Sequence, residues 1–274
     1  MRLSISHKTT YNYTPPAARV IQMLRLTPRN HDGQYVADWR IEASADCRLD
    51  QHEDAFGNIT HSFAADGPLS ALSLLVEGEI ETRDVNGVMR DTAERFPPSL
   101  FLRETTLTAC DDAIAAFAVS AQGAHGGETL VVLHGLLEGV HKAMVWDDHR
   151  PYEGTPAAEA FALKHGIAPD FAHVFITAAR SLGIPARFVA GYFCGDPTNK
   201  RDAGHAWAEA FVGDLGWVAF DPANGICATD AHARVAVGLD HLGAAPVRGM
   251  RYGGGAETLT VDIHIDQASR QTQS

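Results

Sequence analysis

Apolar and polar residues alternate along much of the first hundred positions, which is the pattern of strands with one buried face. The alternation is clearest over residues 3–6, 35–41 and 72–80, where Glu77 and Glu79 fall on the outer face. Turn sequences that contain Gly, Pro and Asp separate these runs. Short strands at this spacing predict a β-sandwich-like region.

The apolar spacing changes from strand-like to helix-like in the next part of the chain. Residues 111–119 and 130–144 carry apolar positions at helical spacing, and Thr108 is placed to cap the first of these helices. A connector with two prolines, residues 95–99, precedes the change. The two patterns therefore belong to two regions of different architecture.

This change of pattern places a domain boundary between residues 90 and 105. We predict a β domain over residues 1–95, a second domain over residues 105–265 and a polar tail over residues 266–274.

Residues 164–225 hold the most informative pattern. Pro169 suits the start of a helix, Asp170 suits the positive end of its dipole, and apolar residues follow at helical spacing as far as Leu182. Gly and Pro then end the helix. Three strand-like runs follow, over residues 187–193, 205–212 and 217–220. A β region followed by a helix and antiparallel strands predicts an α+β fold class.

Composition excludes several classes of protein. The chain has 274 residues, of which 45% are hydrophobic and 20% charged, so it has enough apolar material for a core. Its formal net charge is −12 at pH 7. An acidic chain of this kind is a poor candidate for binding nucleic acid or an anionic membrane surface. We therefore expect no nucleic-acid and no membrane partner, and the sequence gives no indication of the oligomeric state.

The cysteines and the N-terminal sequence bear on the compartment. The four cysteines are far apart and form no C-x-x-C pair, which argues against a disulfide framework or a structural zinc site. The first residues lack the apolar segment of a signal peptide, and no stretch approaches 18 apolar residues. We expect a reduced, cytoplasmic protein.

Four motifs in this region occur in a fixed order. The first two are Gly166 with Asp170 and the run Leu-Gly-Ile-Pro-Ala-Arg that ends at Arg187. The run Gly-His-Ala-Trp around His205 and the run Phe-Asp-Pro around Asp221 follow. Together they resemble the catalytic core of the transglutaminase-like superfamily, which includes bacterial proteins classed as candidate cysteine peptidases. The resemblance implies a papain-like core in which a helix packs on an antiparallel sheet.

The N-terminal half extends the resemblance to nearly the whole chain. The opening His-x-Thr-x-Tyr-x-Tyr at residues 7–13, together with residues 24–29 and 54–58, resembles the small N-terminal domain of the bacterial members. The family acts on peptide or glutamine-type amides by acyl transfer or hydrolysis through a thioester. The implied partner is therefore a peptide or protein amide.

The implied catalytic triad is cysteine, histidine and aspartate, in which a thiolate attacks the carbonyl and the histidine moves the proton. The matching positions are Ala168, His205 and Asp221. Because Ala168 has no nucleophilic atom, the chain keeps the base and its orienting carboxylate but has no route to a thioester. Two interpretations remain open, a natural pseudoenzyme and an active enzyme in which alanine replaces the cysteine. We expect no cofactor and no metal, and no D-x-D-x-D calcium loop is present.

Three alternatives compete with this interpretation. Cys194 could replace the missing thiol, although a small half-buried residue is the simpler interpretation. Metal-dependent hydrolysis could use His165, His173, His205 and Asp221, but no tight ligand spacing supports it, and His173 suits a structural role on its helix. A non-catalytic module could keep the cleft to bind a peptide or partner.

The hairpin register gives a geometric test of the assignment. If Val212 pairs with Trp217, His205 and Asp221 are offset by an odd number of residues and point to opposite faces of the sheet. A working pair needs an even offset. We therefore predict a different loop length or a β-bulge before Asp221, a hydrogen bond between the two side chains, and the Ala168 methyl facing the other ring nitrogen.

Overall fold

The computed structural model describes residues 1–147, 154–195 and 204–267. It contains five α-helices and fourteen strands within that part of the chain. In chain order they are β1 (Arg2–Thr27), β2 (Gln34–Ala43), β3 (Asp50–Glu53), β4 (Ile59–Thr82), β5 (Val88–Met89), α1 (Asp112–His125), α2 (Thr129–Ala143), β6 (Val145–Trp146), α3 (Ala157–Leu163), β7 (His165–Gly166), α4 (Ala168–Ser181), β8 (Ala186–Phe193), β9 (Gly204–Val212), β10 (Gly216–Asp221), β11 (Ile226–Cys227), β12 (His232–Gly238), α5 (His241–Ala244), β13 (Val247–Gly253) and β14 (Ala256–Gln267).

The N-terminal sheet is built on two very long strands, β1 and β4, which pair antiparallel. One half of β1 pairs with β14 and the other half with β13, while β2 and β3 pair with opposite halves of β4. The two halves enclose a core in which Leu72 and Leu74 from one half meet Leu24 and Phe63 from the other. The region is sandwich-like, as the sequence predicts, because the long strands β1 and β4 each run through both halves.

The second region packs helices on an antiparallel sheet. Its main path runs β11-β10-β9-β8-β12, with β5 on β10. Helix α4 is almost wholly buried and packs on β8 and β9. The ring of Phe175 stacks on that of Phe220 in β10, with the ring centroids 5.2 Å apart. This arrangement confirms the α+β fold class, with a β-sheet region followed by a helix-on-sheet core.

The last two strands return to the first region. β14 pairs with β1 from Leu3↔Gln267 to Thr14↔Ala256, and β13 pairs with the second half of β1. Residues 247–267 therefore complete the N-terminal sheet, although the expected second domain extends to residue 265. The division into domains stays a prediction. Of the expected polar tail, residues 268–274 lie outside the described residues.

One expected helix cap is wrong. Asp111, and not Thr108, caps α1, since its carboxylate accepts a hydrogen bond of 2.8 Å from the amide of Ile114. Thr108 instead accepts from the amide of Thr105 and from the buried guanidinium of Arg180. Among the described residues no helix is long and apolar enough to cross a membrane.

Candidate active site

The glycine and aspartate of the first motif shape the start of α4. The carboxylate of Asp170 accepts a hydrogen bond of 2.9 Å from the amide of Ile167, which satisfies an N-terminal donor of the helix. A Cβ atom at Gly166 would lie 2.6 Å from this carboxylate, so only glycine fits there. The spacing Gly-x-x-x-Asp therefore fixes where the helix begins.

Ala168 is the first residue of this helix, and its side chain is buried. Backbone N–H groups at a helix N-terminus favour a negative charge, and a cysteine placed there has a lowered pKa. The N-terminus of α4 would therefore stabilise a thiolate at residue 168, where this chain carries the methyl group of alanine.

The hairpin that carries the other two residues has an even register. Val212 pairs with Gly216 across a three-residue loop, Gly213–Leu215, and the pairing continues to Phe220↔Ala208 without a shift. His205 and Asp221 are therefore offset by two and project from the same face. The expected change of loop length is found, and the alternative of a bulge between these two strands is not needed.

The side chains of His205 and Asp221 are joined by a hydrogen bond of 2.7 Å between Nε2 of the ring and Oδ2 of the carboxylate. Both are buried. Because the carboxylate accepts, Nε2 carries the proton and Nδ1 keeps its lone pair. Within the described residues Nδ1 is buried and has no hydrogen-bond partner. A histidine held in this tautomer can accept a proton at Nδ1. That the Ala168 methyl faces this nitrogen stays a prediction.

Asp221 is held by more groups than the sequence motif indicates. Its Oδ2 also accepts from Nε2 of His232 at 3.1 Å and from the side-chain amide of Asn224 at 2.7 Å. Its Oδ1 accepts from the backbone amides of Ala223 and Asn224. Burial raises the pKa of Asp221, but the interactions with His205 and His232 outweigh it and hold the pKa well below its usual range. The carboxylate is therefore ionised.

His232 and Asn224 were not found by sequence reasoning. His232 reaches the site because β12 pairs with the opposite edge of β8 from β9, at His232↔Phe193, while His205 pairs with Gly191 on the other side. Asn224 follows Asp221 by three residues in the turn after β10. The only sequence signal for His232 is its place on a strand-like alternation with Arg234.

His205, Asp221 and His232 form a group of three that could hold a metal ion by distance, with ligand atoms within 4.8 Å of one another. The tautomer of His232 argues against this use. Its Nδ1 accepts a hydrogen bond of 3.1 Å from the amide of Thr229, so the proton is on Nε2, the nitrogen that faces Asp221. A protonated nitrogen has no lone pair for a metal, so the residues fit a hydrogen-bonded cluster better than a metal site.

Other residues considered from the sequence lie elsewhere. His173 is fully buried, and its Nε2 accepts from the amide of His241, which supports a structural role. His165 pairs with Asp147. Cys194 follows the last residue of β8, next to Phe193, whose ring lies 5.3 Å from that of His205. The structure therefore does not gather the four-residue metal set that the sequence left open.

A cavity of about 380 Å³ adjoins His205. Pro169 of the helix start lies on one side, and side chains of β1 and β14 lie on the other. The cleft is thus formed by both regions of the molecule, with the histidine at its wall.

Comparison with known proteins places this geometry in a family. The model for the bacterial transglutaminase-like N-terminal region matches residues 3–81, and the model for the transglutaminase-like superfamily matches residues 132–222. An uncharacterized protein of Mycobacterium leprae is 30% identical over 292 residues, which cover 96% of this chain and 98% of the relative. The chain belongs to the transglutaminase-like superfamily. An uncharacterized protein of Mycobacterium tuberculosis is 24% identical over 97% of this chain and 92% of its own.

A solved structure shares the fold of this transglutaminase-like chain over its whole length. It comes from Cytophaga hutchinsonii and is described as a candidate cysteine protease. The two chains superpose with a TM-score of 0.74 at 18% identity, covering 100% of this chain and 92% of the other. At this identity the likeness concerns the fold, including the joining of the N-terminal sheet to the helix-on-sheet core.

Proposed function

We propose that this transglutaminase-like protein binds an amide-bearing segment of a peptide or protein in its cleft and does not convert it through a thioester. The observation that carries the proposal is the pair of His205 and Asp221, in which Nδ1 of the histidine is buried and has no partner among the described residues. Ala168, at the start of α4, occupies the position that the family resemblance assigns to the nucleophile. The base and its orienting carboxylate are in place, whereas a group that could attack a carbonyl is missing.

The remaining thiols support the loss of thiol chemistry. Burial raises the pKa of the Cys47, Cys110 and Cys227 thiols, which lowers the fraction of thiolate available for attack. None of these three cysteines lies in α4, the helix that matches the family's nucleophile helix. Cys194 lies at the end of a strand and not at a helix N-terminus.

Activity of the purified protein tests the proposal. With a glutamine-containing peptide and a primary amine, we expect neither amide hydrolysis nor transamidation, and we expect Ala168→Cys to gain thiol-dependent turnover. Robust turnover by the unaltered protein that is lost on alkylation would contradict the proposal. The variant Cys194→Ser would then show whether that thiol has taken over.

The same geometry is compatible with a thiol enzyme whose cysteine has been replaced by alanine. The codon for residue 168 in the natural gene distinguishes the two, because a cysteine codon would mean a trapped enzyme and an alanine codon a natural pseudoenzyme.

We also propose the cytoplasm as the compartment. All four cysteines lie in the described residues and are free thiols, which suits a reducing environment. Detection of the native protein in a secreted or periplasmic fraction would contradict this. The acidic composition supports a partner that is neither nucleic acid nor anionic membrane.

A further inference from the structure

The cavity beside His205 is bounded by a row of apolar residues on β14. Side chains at positions 259, 261, 263 and 265 share one face of this strand, since strand residues alternate. Ile263 and Ile265 pack against the large core cluster that both regions share, and Leu259, Val261 and Ile263 line the cavity. Leu259 is 55% exposed and Val261 49% exposed. The row therefore passes from half-buried residues that pack on the core to exposed residues in the open cleft next to the histidine.

The strand β1, which pairs with β14, places polar side chains beside this row, and their hydrogen bonds are made within the protein. His7, Thr9 and Tyr11 pair with Ile263, Val261 and Leu259 respectively. The ring of His7 is hydrogen bonded through Nδ1 to the hydroxyl of Tyr192 at 2.9 Å and through Nε2 to the hydroxyl of Thr9 at 3.1 Å. Both ring nitrogens are thus occupied within the protein and are not offered to a ligand.

The described residues that line the cavity carry no fixed charge. The titratable groups among them are three histidines and one tyrosine. Burial lowers the pKa of His7 and of His241 to about 4 and raises the pKa of Tyr11 to about 12, so these groups are neutral at pH 7. Phe188 and Val247 add further apolar surface. A charged ligand group would lose its hydration here without a charged partner in the described lining.

We propose that this cavity is a specificity site for a bulky, uncharged aliphatic or aromatic side chain next to the amide that faces His205. Its role in selecting a substrate rests on the proposed function, whereas binding in the cavity does not require turnover. The occupant is a neutral, apolar peptide segment, because an apolar side chain can cover Leu259 and Val261 and needs no charge partner. A large aliphatic side chain fits a cavity of about 380 Å³.

Equilibrium binding to the unaltered protein tests the proposal. The probes are two blocked pentapeptides with glutamine at the centre, one flanked on both sides by leucine and the other by glutamate, measured by isothermal titration calorimetry at pH 7. We expect the leucine peptide to bind at least about tenfold more tightly, since a side chain in an apolar pocket discriminates by ~10-fold or more. Equal binding of the two peptides, or no measurable binding of either, would overturn the proposal.

Two matched variants locate the binding. Val261→Asp places a charge on the face of β14 that lines the cavity, and Thr260→Asp places the same charge on the opposite, exposed face. We expect Val261→Asp to weaken binding of the leucine peptide about tenfold and Thr260→Asp to leave it unchanged. Leu259→Ala, which introduces no charge, should weaken it in the same direction. Identical affinities in all three variants would overturn the proposal.

The outcomes separate this proposal from the proposed function. Selective binding of the leucine peptide, together with thiol-dependent turnover by the unaltered protein, would support the cavity as a binding site and contradict the proposed function. Equal binding of the two peptides without turnover by the unaltered protein would overturn the cavity proposal and leave the proposed function standing. Thermal unfolding of each variant confirms that the protein measured is folded.

Discussion

Two buried carboxylates of the central sheet, Asp221 and Glu209, are held in different ways. Glu209 accepts hydrogen bonds from the guanidinium groups of Arg187 and Arg234, and Arg187 also forms two bonds to Glu94. Two acids are thus balanced by two arginines. Asp221 is held by imidazole, amide and backbone N–H groups, with no arginine or lysine among its partners in the described residues.

The different partners of Glu209 and Asp221 determine what each cluster can do chemically. A network of fixed opposite charges is complete and has no group that can change its protonation near neutral pH, so the Glu209 cluster serves the fold. The Asp221 cluster keeps an ionised carboxylate beside His205, whose Nδ1 is free to accept a proton. A carboxylate in that position stabilises the imidazolium that forms, which is the requirement for a general base.

Acid should have the largest effect, and it should act before either carboxylate titrates. Burial lowers the pKa of His7, His31 and His241 to about 4 and that of His173 to about 3. In the unfolded chain these groups titrate near ~6.5. The unfolded state therefore takes up protons first as the pH falls, and stability is lost between about pH 6.5 and 4.

Urea unfolding at pH 7, 6, 5 and 4 measures this. We expect the free energy of unfolding to fall progressively below pH 6.5. The interactions with Arg234 and Arg187 outweigh burial and lower the pKa of Glu209 to about 2, so its contribution, complete above the unfolded value, should be lost only in more acidic solution. A free energy that is constant down to pH 4.5 would show that the buried histidines do not control acid stability.

Removing the carboxylate of Glu209 should have the next largest effect. Glu209→Ala leaves the buried guanidinium of Arg187 with Glu94 alone and Arg234 without its acidic partner. We expect a loss of about 3–5 kcal/mol in the free energy of unfolding, because breaking one side of a buried ion pair leaves an uncompensated charge. Chemical denaturation at pH 7 checks this, and a loss below about 1 kcal/mol would mean that the network is not structural.

Removing the carboxylate of Asp221 should cost less stability. Asp221→Ala leaves backbone amides and the side chains of His205 and His232 without an acceptor, and those groups are neutral donors or can rearrange. We expect a loss of about 1–3 kcal/mol. A loss equal to that of Glu209→Ala, measured in the same denaturant series, would remove the distinction between a structural and a chemical cluster.

Local patterns predicted much of the fold and the core of the site. The apolar stripe and flanking breakers predicted a helix within one residue of Ala168–Ser181, and strand-like runs predicted β8, β9 and β10. Even the need for an altered hairpin connection followed from the alternation of strand side chains, because two residues can meet only when their offset is even.

The remaining features depend on pairing between distant residues. β14 pairs with β1, which lies at the other end of the chain. No local pattern in the sequence of β14 predicts that it pairs with β1. His232 reaches Asp221 because β12 pairs with β8. The sequence of one strand does not specify its register with a strand that is distant in the chain. Thr108 and Asp111 are both good caps by residue type, and only the start of α1 decides between them.

The central claim, that the fold keeps an activated site without its nucleophile, is tested most directly by the alkylation rate of Ala168→Cys as a function of pH. Peptide-level mass spectrometry after iodoacetamide treatment separates residue 168 from the four natural cysteines, and the double variant Ala168→Cys with His205→Ala is the matched control. We expect an apparent thiol pKa well below the free-cysteine value of ~8.5, and a rise toward that value in the control, because the helix N-terminus and His205 both favour the thiolate. An apparent pKa of ~8.5 in both variants would contradict the account.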